Sequence, residues 1–180
     1  MRVYAAVKNE IQLEKAVNSD AIAIFHLQPN IKTLPGAIKL THNAGKKIFI
    51  HMDLAEGIGK DRFGVEYAGE LGIDGIISTR ANIIKAAREN GLFTIQRFFV
   101  VDSQAIGTTV ETVRNTKPDM IEIMPGIAVK AIGGIEKKIS VPIIAGGLIE
   151  TNEEAQNALS CGAVAISTGK EELWGKSDEF

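Results

Sequence analysis

The sequence contains little of what marks the specialised protein classes. Its 180 residues include one cysteine, five prolines and one tryptophan, and aromatic residues make up only 6% of the chain. A single cysteine excludes a disulfide framework and is typical of a reducing compartment. No apolar run approaches the roughly 18 residues that a membrane-spanning helix needs, so we expect no membrane partner. With 45% hydrophobic and 23% charged residues, the composition predicts a folded globular domain.

The chain also lacks an excess of either charge. Twenty basic and 22 acidic residues leave a net charge of −2, so bulk charge predicts neither a nucleic-acid nor a membrane partner, although a local patch is compatible with it. The N-terminal MRVYAAVKNE has no apolar segment typical of a signal peptide, so we expect a cytoplasmic protein. Several lysines are scattered without an aromatic stacking platform: Lys32, Lys39, Lys46, Lys47, Lys130, Lys137 and Lys138.

What the sequence does contain is a regular alternation of strand and helix patterns. Eight short β-branched runs occupy 2–7, 20–26, 46–53, 73–79, 93–100, 119–124, 141–146 and 163–168. Helical patterns lie between them at 10–18, 31–44, 61–71, 80–90, 103–116, 127–138 and 151–161. Alternation of this kind predicts parallel strands, and eight such units predict a single domain, residues 1–180, with a compact TIM-type (β/α)8 barrel fold.

A doubly wound open sheet is the alternative fold. Its dinucleotide-binding version carries G-x-G-x-x-G after the first strand, and residues 7–10 (VKNE) contain no glycine. The predicted barrel has short helices, with about 23 residues per unit against roughly 31 in a typical barrel of this type. Little chain remains for the insertions that elaborate catalytic sites, which favours a compact sensor.

Local signals place the helix ends. Thr79, Asp102 and Thr151 are predicted to cap helix starts. Glycines at the helix ends predict where the chain turns back, namely Gly45, Gly72, Gly91 and Gly162.

Strand parity predicts which side chains enter the barrel. In the sixth strand Ile121 and Ile123 suit the outer helix layer, which points Met120, Glu122 and Met124 inward. The third strand predicts Phe49, His51 and Asp53 inside, with Ile48, Ile50 and Met52 outside. In the fifth strand both parities mix polar and apolar residues, so parity leaves open whether Gln96 or Arg97 faces the cavity.

Glycines and hydroxyls follow the last two strands, where barrels of this class commonly hold a phosphate. Gly146 and Gly147 end the seventh strand, and Ser167, Thr168 and Gly169 end the eighth. Uncovered backbone N–H groups and hydroxyls at these positions predict phosphate binding. The alternative is that the glycines only turn the chain tightly.

Polar residues at the predicted mouth fit several chemistries. His51 and Asp53 suit an acid–base pair, two metal ligands, or hydrogen bonds to a polyol. A metal site would need Glu122 as well, and His26 if its face of the second strand is the inner one; we expect no metal. Arg97 needs an anion, which is either Glu122 in an ion pair or the ligand itself.

Three further segments have a possible role. The connection 53–62 contains Glu56, Gly57 and Gly59 and predicts a lid over the mouth, with an ordinary surface loop as the alternative. Residues 78–80 could assist an anion, but helix capping explains them more simply. Cys161 lies at a helix end without an adjacent base, so we expect a packed residue and not a nucleophile.

Five ordered motifs together suggest a family. They are 51–57 (HMDLAEG), 74–79 (DGIIST), 95–103 (IQRFFVVDS), 118–126 (PDMIEIMPG) and 142–149 (PIIAGGLI). From about residue 20 to Trp174 the chain resembles the bacterial glycerol-3-phosphate-responsive antiterminator family.

The resemblance implies a non-enzymatic barrel without a cofactor. Its ligand would be glycerol 3-phosphate, and its partner the leader mRNA of glycerol-utilisation genes, which the loaded protein would bind to prevent termination. Gly146, Gly147, Ser167, Thr168 and Gly169 would hold the phosphate. Residues His51, Asp53, Arg97 and Glu122 would meet the glycerol hydroxyls, and a homo-oligomer that doubles the basic surface is possible.

Two other functions stay open from the residues. A phosphosugar isomerase or lyase would use Glu122 as general base, assisted by His51 or Asp53, in a layout comparable to that of triosephosphate isomerase, itself a standard example of such a site. The second is a degenerate barrel whose mouth binds nothing.

Overall fold

Eight parallel strands close into a barrel in the computed structural model, which describes residues 1–175. Each strand is hydrogen-bonded to the next in chain order, and the last pairs with the first. The strands are β1 (Val3–Val7), β2 (Ala23–His26), β3 (Lys47–His51), β4 (Gly75–Ser78), β5 (Phe93–Phe99), β6 (Met120–Met124), β7 (Ile143–Gly146) and β8 (Ala163–Thr168). The predicted barrel and all eight of its strands are confirmed.

Seven helices cover the barrel. They are α1 (Glu10–Val17), α2 (Leu34–Asn43), α3 (Arg62–Glu70), α4 (Ala81–Glu89), α5 (Ser103–Thr116), α6 (Val129–Glu136) and α7 (Asn152–Ser160). Short 3-10 turns occupy Met52–Leu54 and Glu171–Leu173, and the second of these stands where an eighth helix would follow β8. Within residues 1–175 no helix has both the length and the apolar character to cross a membrane.

The helix ends follow the predicted signals with one exception. The Asp102 side chain accepts from Ala105 N, and Thr151 forms a capping box with Glu154. The four predicted terminal glycines all adopt positive φ angles, which only glycine adopts without strain. The prediction for Thr79 is wrong. The N-cap position of α4 is Arg80, whose side chain makes no capping hydrogen bond. The Thr79 hydroxyl donates to Asp53 and does not cap the helix.

Apolar side chains separate into an outer and an inner layer, as parity predicts. Ile121 and Ile123 belong to the large core between strands and helices, whereas Met120 packs inside the barrel. The interior near the strand starts is aromatic: the ring centroids of Tyr4 and Phe25 are 4.6 Å apart, and those of Phe25 and Phe49 are 5.7 Å apart. With that end filled by apolar groups, the polar inward residues lie toward the carboxyl ends of the strands, which is the mouth.

Candidate functional site

A buried ion pair lies inside the mouth of the barrel. Arg97 on β5 is in register with Glu122 on β6, and Arg97 Nε donates to Glu122 Oε2 at 2.6 Å. The other carboxylate oxygen, Oε1, accepts from the hydroxyl of Ser167 on β8. Both residues of the pair are buried. Of the two alternatives for Arg97, the ion pair is therefore present, and it joins three strands through one carboxylate.

The same pairing resolves the orientation of β5. Arg97 points into the barrel, while Gln96 faces helix α5, where its Oε1 accepts from Thr116 Oγ1 at 2.6 Å. Both Gln96 and Thr116 are buried, so this hydrogen bond ties β5 to the helix that follows it. Arg97 is thus the β5 residue available to the mouth.

His51 lies beside the Nη1 atom of Arg97, whereas Glu122 contacts the Nε atom. Its Nε2 is 3.5 Å from Arg97 Nη1 and 3.7 Å from Asp53 Oδ2. Burial and the Arg97 charge lower the pKa of His51 to about 4, and the charge of Asp53 opposes them only in part. The ring is therefore neutral near pH 7. With Nε2 turned to the guanidinium, its proton belongs on Nδ1.

That second ring nitrogen is a buried polar atom without a partner. His51 Nδ1 contacts no hydrogen-bonding group among residues 1–175. Because buried polar groups are nearly always paired, an unpaired one in a polar mouth favours a position for a ligand or water. Its bare N–H can donate to a hydroxyl oxygen.

Asp53 is held by the last residue of β4 and the residue after it. Its carboxylate accepts from Ser78 Oγ at 2.5 Å, from Thr79 N at 2.8 Å and from Thr79 Oγ1 at 2.7 Å. Burial raises the pKa of the Asp53 carboxyl, but these hydrogen bonds outweigh burial and bring the pKa below its usual range. The sequence reasoning missed this clamp, because it assigned Thr79 to the helix. The donors of Ser78 and Thr79 thus bind Asp53 and not an external anion.

The glycines after β7 have a packing reason. A Cβ on Gly146 would overlap Glu122 Oε1 and lie 2.9 Å from Ser167 Oγ. Gly147 adopts a φ of +75°, and a Cβ there would lie 2.6 Å from Met124 Cε. The absence of a side chain at Gly146 therefore leaves room for Glu122 and Ser167. Gly147 supplies the left-handed turn by which the chain leaves β7. The exposed Leu148 continues that turn with a φ of +58°, which is strained for leucine.

The two hydroxyls at the end of β8 point to different partners. Ser167 donates to Glu122 inside the barrel. Thr168 Oγ1 donates to the Ile149 carbonyl at 2.7 Å and accepts from Lys170 N at 3.0 Å. A phosphate contact by Thr168 would thus have to use its backbone. Gly169 lies near the Ala6 carbonyl, where an added Cβ would come within 3.4 Å.

The connection after β3 is anchored at both ends. Glu56 pairs with the preceding loop, where its N donates to the Pro29 carbonyl at 2.8 Å and its side chain accepts from Asn30 Nδ2 at 2.9 Å. Asp61 then caps α3 through Phe63 N and Gly64 N. Gly57 and Gly59 lie between these anchors, and the lid stays a prediction.

His26 does not contribute to the mouth. It shares the face of Ile24, which belongs to the outer core, and it lines a cavity of about 290 Å³ together with Leu13 of α1 and Ala37 of α2. His26 therefore does not face the barrel interior, as a metal site at the mouth would require. Residues 1–175 contain no cluster of three His, Cys, Asp or Glu side chains that could hold a metal ion.

A larger cavity opens at the opposite end of the barrel. It measures about 720 Å³ and lies at the amino ends of the strands, with Tyr4, Phe49 and Phe93 among its lining residues. The charged groups on its rim already have partners: Lys47 Nζ is 2.7 Å from Asp74 Oδ1, and Arg88 Nη1 donates to the Thr116 carbonyl. The buried polar network lies at the mouth, so the mouth is the candidate site.

Comparison with known proteins identifies the family of this chain. A family model described as "Glycerol-3-phosphate responsive antiterminator" matches residues 3–174. The chain belongs to this family. The family model spans the whole barrel, from β1 to the turn that carries Trp174.

Three relatives illustrate the antiterminator family. An Escherichia coli (strain K12) protein called "Uncharacterized protein YgcP" is 42% identical over 173 residues, which are 96% of this chain and 91% of that protein. The glycerol uptake operon antiterminator regulatory protein of Listeria monocytogenes is 34% identical with a TM-score of 0.91, covering 97% of this chain and 95% of that one. A glycerol uptake operon antiterminator-related protein of Thermotoga maritima is 30% identical with a TM-score of 0.86, covering 96% and 97%.

In this antiterminator-family chain, five of the predicted site residues meet in one network. His51, Arg97, Glu122 and Ser167 follow one another in contact across the mouth, and Asp53 joins the network beside His51. Sequence reasoning missed the role of Ser78, although its position at the end of β4, next to the strand that precedes Asp53, was a usable signal. Glu56, Gly57 and Gly59 are separate from this network.

Proposed function

We propose that the protein is a non-enzymatic sensor of glycerol 3-phosphate that acts in the cytoplasm on the leader mRNA of glycerol-utilisation genes. Membership of the antiterminator family, established over residues 3–174, carries the proposal. The mouth supports it with a mixture of groups suited to a small polar ligand: a neutral histidine, an arginine, two carboxylates and a glycine-rich exit from β7.

The glycerol part of the ligand would contact the buried network. The unpaired His51 Nδ1 would donate to one hydroxyl oxygen, and a carboxylate oxygen of Glu122 or Asp53 would accept from another. Carboxylate oxygens have two lone pairs each, so their present partners leave acceptor capacity. A buried site built to pair hydroxyl groups discriminates strongly against analogues that lack them.

The phosphate would lie over the ends of β7 and β8. Backbone N–H groups of Gly147 and Gly169 would be its donors, and the Ser167 hydroxyl, whose one proton is donated to Glu122, would join them by rotating toward the phosphate. The interior charges of Arg97, Glu122 and Asp53 sum to −1, so a phosphate is better placed at the rim than beside the two carboxylates. Thr168 would contribute its backbone only.

The leader mRNA would be bound modestly and with strong salt dependence. The net charge is −2 and the lysines lie on separate helices and loops, which limits the affinity. The attraction that remains would come from lysine–phosphate contacts, and each of these weakens as salt is added. Ligand binding would act through residues 57–60, the part of the lid that lies between its two anchors.

The geometry gives less support to an isomerase or lyase. Glu122 would have to abstract a proton while its two oxygens hold the Arg97 guanidinium and the Ser167 hydroxyl. A Schiff-base lyase would need a lysine inside the barrel, and none of the lysines among residues 1–175 is buried.

Calorimetric titration with glycerol 3-phosphate tests the ligand. Glycerol and inorganic phosphate serve as controls, and both should bind far more weakly. A ligand at 100 times its Kd would raise the free energy of unfolding by about 2.7 kcal/mol, which a thermal shift also detects. Equal binding of inorganic phosphate and glycerol 3-phosphate would contradict the sensor assignment. Absence of any binding would contradict the proposal that the mouth binds glycerol 3-phosphate.

Titration of labelled leader RNA tests the partner. We expect the apparent Kd for the leader to fall when glycerol 3-phosphate is present, and to rise steeply between about 50 and 200 mM salt. A scrambled RNA of the same length is the matched control. Identical RNA binding with and without the ligand would contradict the switch, and turnover of glycerol 3-phosphate by the protein would contradict the non-enzymatic assignment.

A further inference from the structure

Helix α3 presents an aromatic face to solvent. Phe63 is 63% exposed and Tyr67 is 38% exposed, one helical turn apart on the same side of the helix. The Arg62 guanidinium lies over the Phe63 ring, 4.6 Å from its centroid. Phenylalanine, tyrosine and arginine are the residue types enriched at protein–protein interfaces. The opposite side of α3 is buried through Gly64, Val65 and Ala68, so the aromatic face has no partner within residues 1–175.

A groove borders these rings. It has a volume of about 290 Å³ and runs between the loop that follows β3 and helix α3 itself. Its walls include Ile31, the buried Ile58, Phe63 and Tyr67. The surface therefore combines a projecting aromatic ring with an adjacent apolar recess, which is the arrangement that an interface with twofold symmetry needs on each partner.

The charges on this face are divided between its two ends. Lys60 and Arg62 stand at the amino end of α3, and Glu66 and Glu70 stand toward its carboxyl end. All four side chains belong to exposed residues. Asp61, between the two basic residues, caps the helix by accepting from Phe63 N and Gly64 N. An antiparallel pairing of two such helices about a twofold axis near residue 65 would set Lys60 opposite Glu70, Arg62 near Glu66, and Phe63 opposite Tyr67.

We propose that the α3 face, defined by Lys60, Arg62, Phe63, Glu66, Tyr67 and Glu70, binds the same face of a second copy of this chain in an antiparallel, twofold-symmetric dimer. The charge pattern identifies the partner as a second copy of this chain. When one copy is reversed, the basic end of its α3 face lies opposite the acidic end of the other. It is less suited to RNA, since its two acidic residues balance its two basic ones and leave no net attraction for phosphates.

The dimer would also order the segment next to the mouth. Gly59 and Gly64 are in such close contact that a Cβ on Gly64 would overlap the Gly59 carbonyl. A partner that packs on α3 would therefore restrain residues 57–60 from outside. The pairing itself does not depend on the proposed ligand, so a monomeric result and a failure to bind glycerol 3-phosphate are separate outcomes.

Sedimentation equilibrium of the full chain, at concentrations from about 1 µM to 1 mM, tests the proposal. We expect a monomer–dimer equilibrium that Phe63→Glu weakens at least tenfold. Ile11→Glu is the matched control, because Ile11 is 68% exposed on α1 and should leave the dimer Kd unchanged. Circular dichroism checks that both variants fold.

Charge reversal tests the antiparallel geometry. Lys60→Glu and Glu70→Lys should each weaken the dimer several-fold, because each places like charges opposite one another. The double variant K60E/E70K should restore the Kd to within about threefold of the original. A second aromatic variant, Tyr67→Lys, should weaken the dimer even if Phe63→Glu fails to fold.

Three results would overturn the proposal. The first is a monomer throughout the concentration range. The second is a dimer that Phe63→Glu and Tyr67→Lys leave intact, which would put the interface on another face. The third is a monomer whose affinity for leader RNA falls in Phe63→Glu, which would assign the aromatic face to base stacking instead.

Discussion

Arg97 and Glu122 form a buried ion pair with an Nε–Oε2 distance of 2.6 Å between neighbouring strands. Each charge compensates the other in a place where neither could be solvated. Ser167 occupies the second carboxylate oxygen, and His51 lies against the guanidinium, so the pair is the centre of the polar mouth.

Removing one member of this pair should strongly destabilise the fold. Arg97→Met leaves Glu122 as an uncompensated buried carboxylate, and we expect the free energy of unfolding to fall by about 3–5 kcal/mol in urea denaturation. The double variant R97M/E122L replaces both charges by apolar groups and should regain most of that loss. A single variant that loses under about 1 kcal/mol would show that the pair contributes little.

Gly146 should tolerate no side chain. Gly146→Ala would push a methyl group against Glu122 and Ser167, and we expect a loss of about 1–3 kcal/mol together with weaker binding of glycerol 3-phosphate. Gly107→Ala in α5 is the matched control, because a Cβ there meets nothing within 4 Å. That change should stabilise the protein by up to about 1 kcal/mol. Equal effects of the two substitutions would contradict the packing role of Gly146.

The low pKa of His51 predicts a loss of stability in mild acid. The unfolded chain binds this proton near pH 6.5 and the folded protein only near pH 4, so the contribution is complete above about pH 7 and declines as the pH falls toward 4. Urea midpoints at pH 7.5 and pH 5 measure the decline, and His51→Asn should make it smaller. Burial lowers the pKa of His26 too, so the comparison is made in a His26→Asn background.

An unchanged pH dependence in the His51 variant would contradict this assignment. Measurements stay above pH 4.5, since the pKa of Asp53 lies below its usual range and its contribution is lost only at lower pH.

The two hydroxyls at the end of β8 should differ in their effect on ligand binding, while both substitutions remove a buried hydrogen bond and so lower stability. Ser167→Ala should weaken binding of glycerol 3-phosphate at least tenfold, since Ser167 lies in the mouth network. Thr168→Val should cost about 1–3 kcal/mol of stability through the buried bond to the Ile149 carbonyl, with little change in affinity for the ligand. Calorimetry and urea denaturation of both variants check this, and the reverse pattern would reassign the two residues.

Strand parity was a sufficient guide wherever one face of a strand is purely apolar. Glu122 lies between Ile121 and Ile123, and the structure points it inward as predicted. In β5 both faces carry polar groups, so the choice between Gln96 and Arg97 needed the neighbours: Thr116 on the helix side and Glu122 on the barrel side. Thr79 was misassigned for a related reason, because a residue between a strand and a helix can hydrogen-bond to either neighbour and only the packed fold brings Asp53 near it.

The sequence by itself determined the barrel, the family and the inward face of β3 and β6, because hydrophobic periodicity and ordered motifs are local properties of the chain. The tertiary structure decided which polar groups meet. Arg97 pairs with Glu122 across 25 residues of sequence, and Ser167 reaches the same carboxylate across 45. Closure of the barrel brings β8 back beside β1, removes these side chains from water, and so makes their pairing obligatory. It also leaves the aromatic face of α3 on the outer surface of residues 1–175.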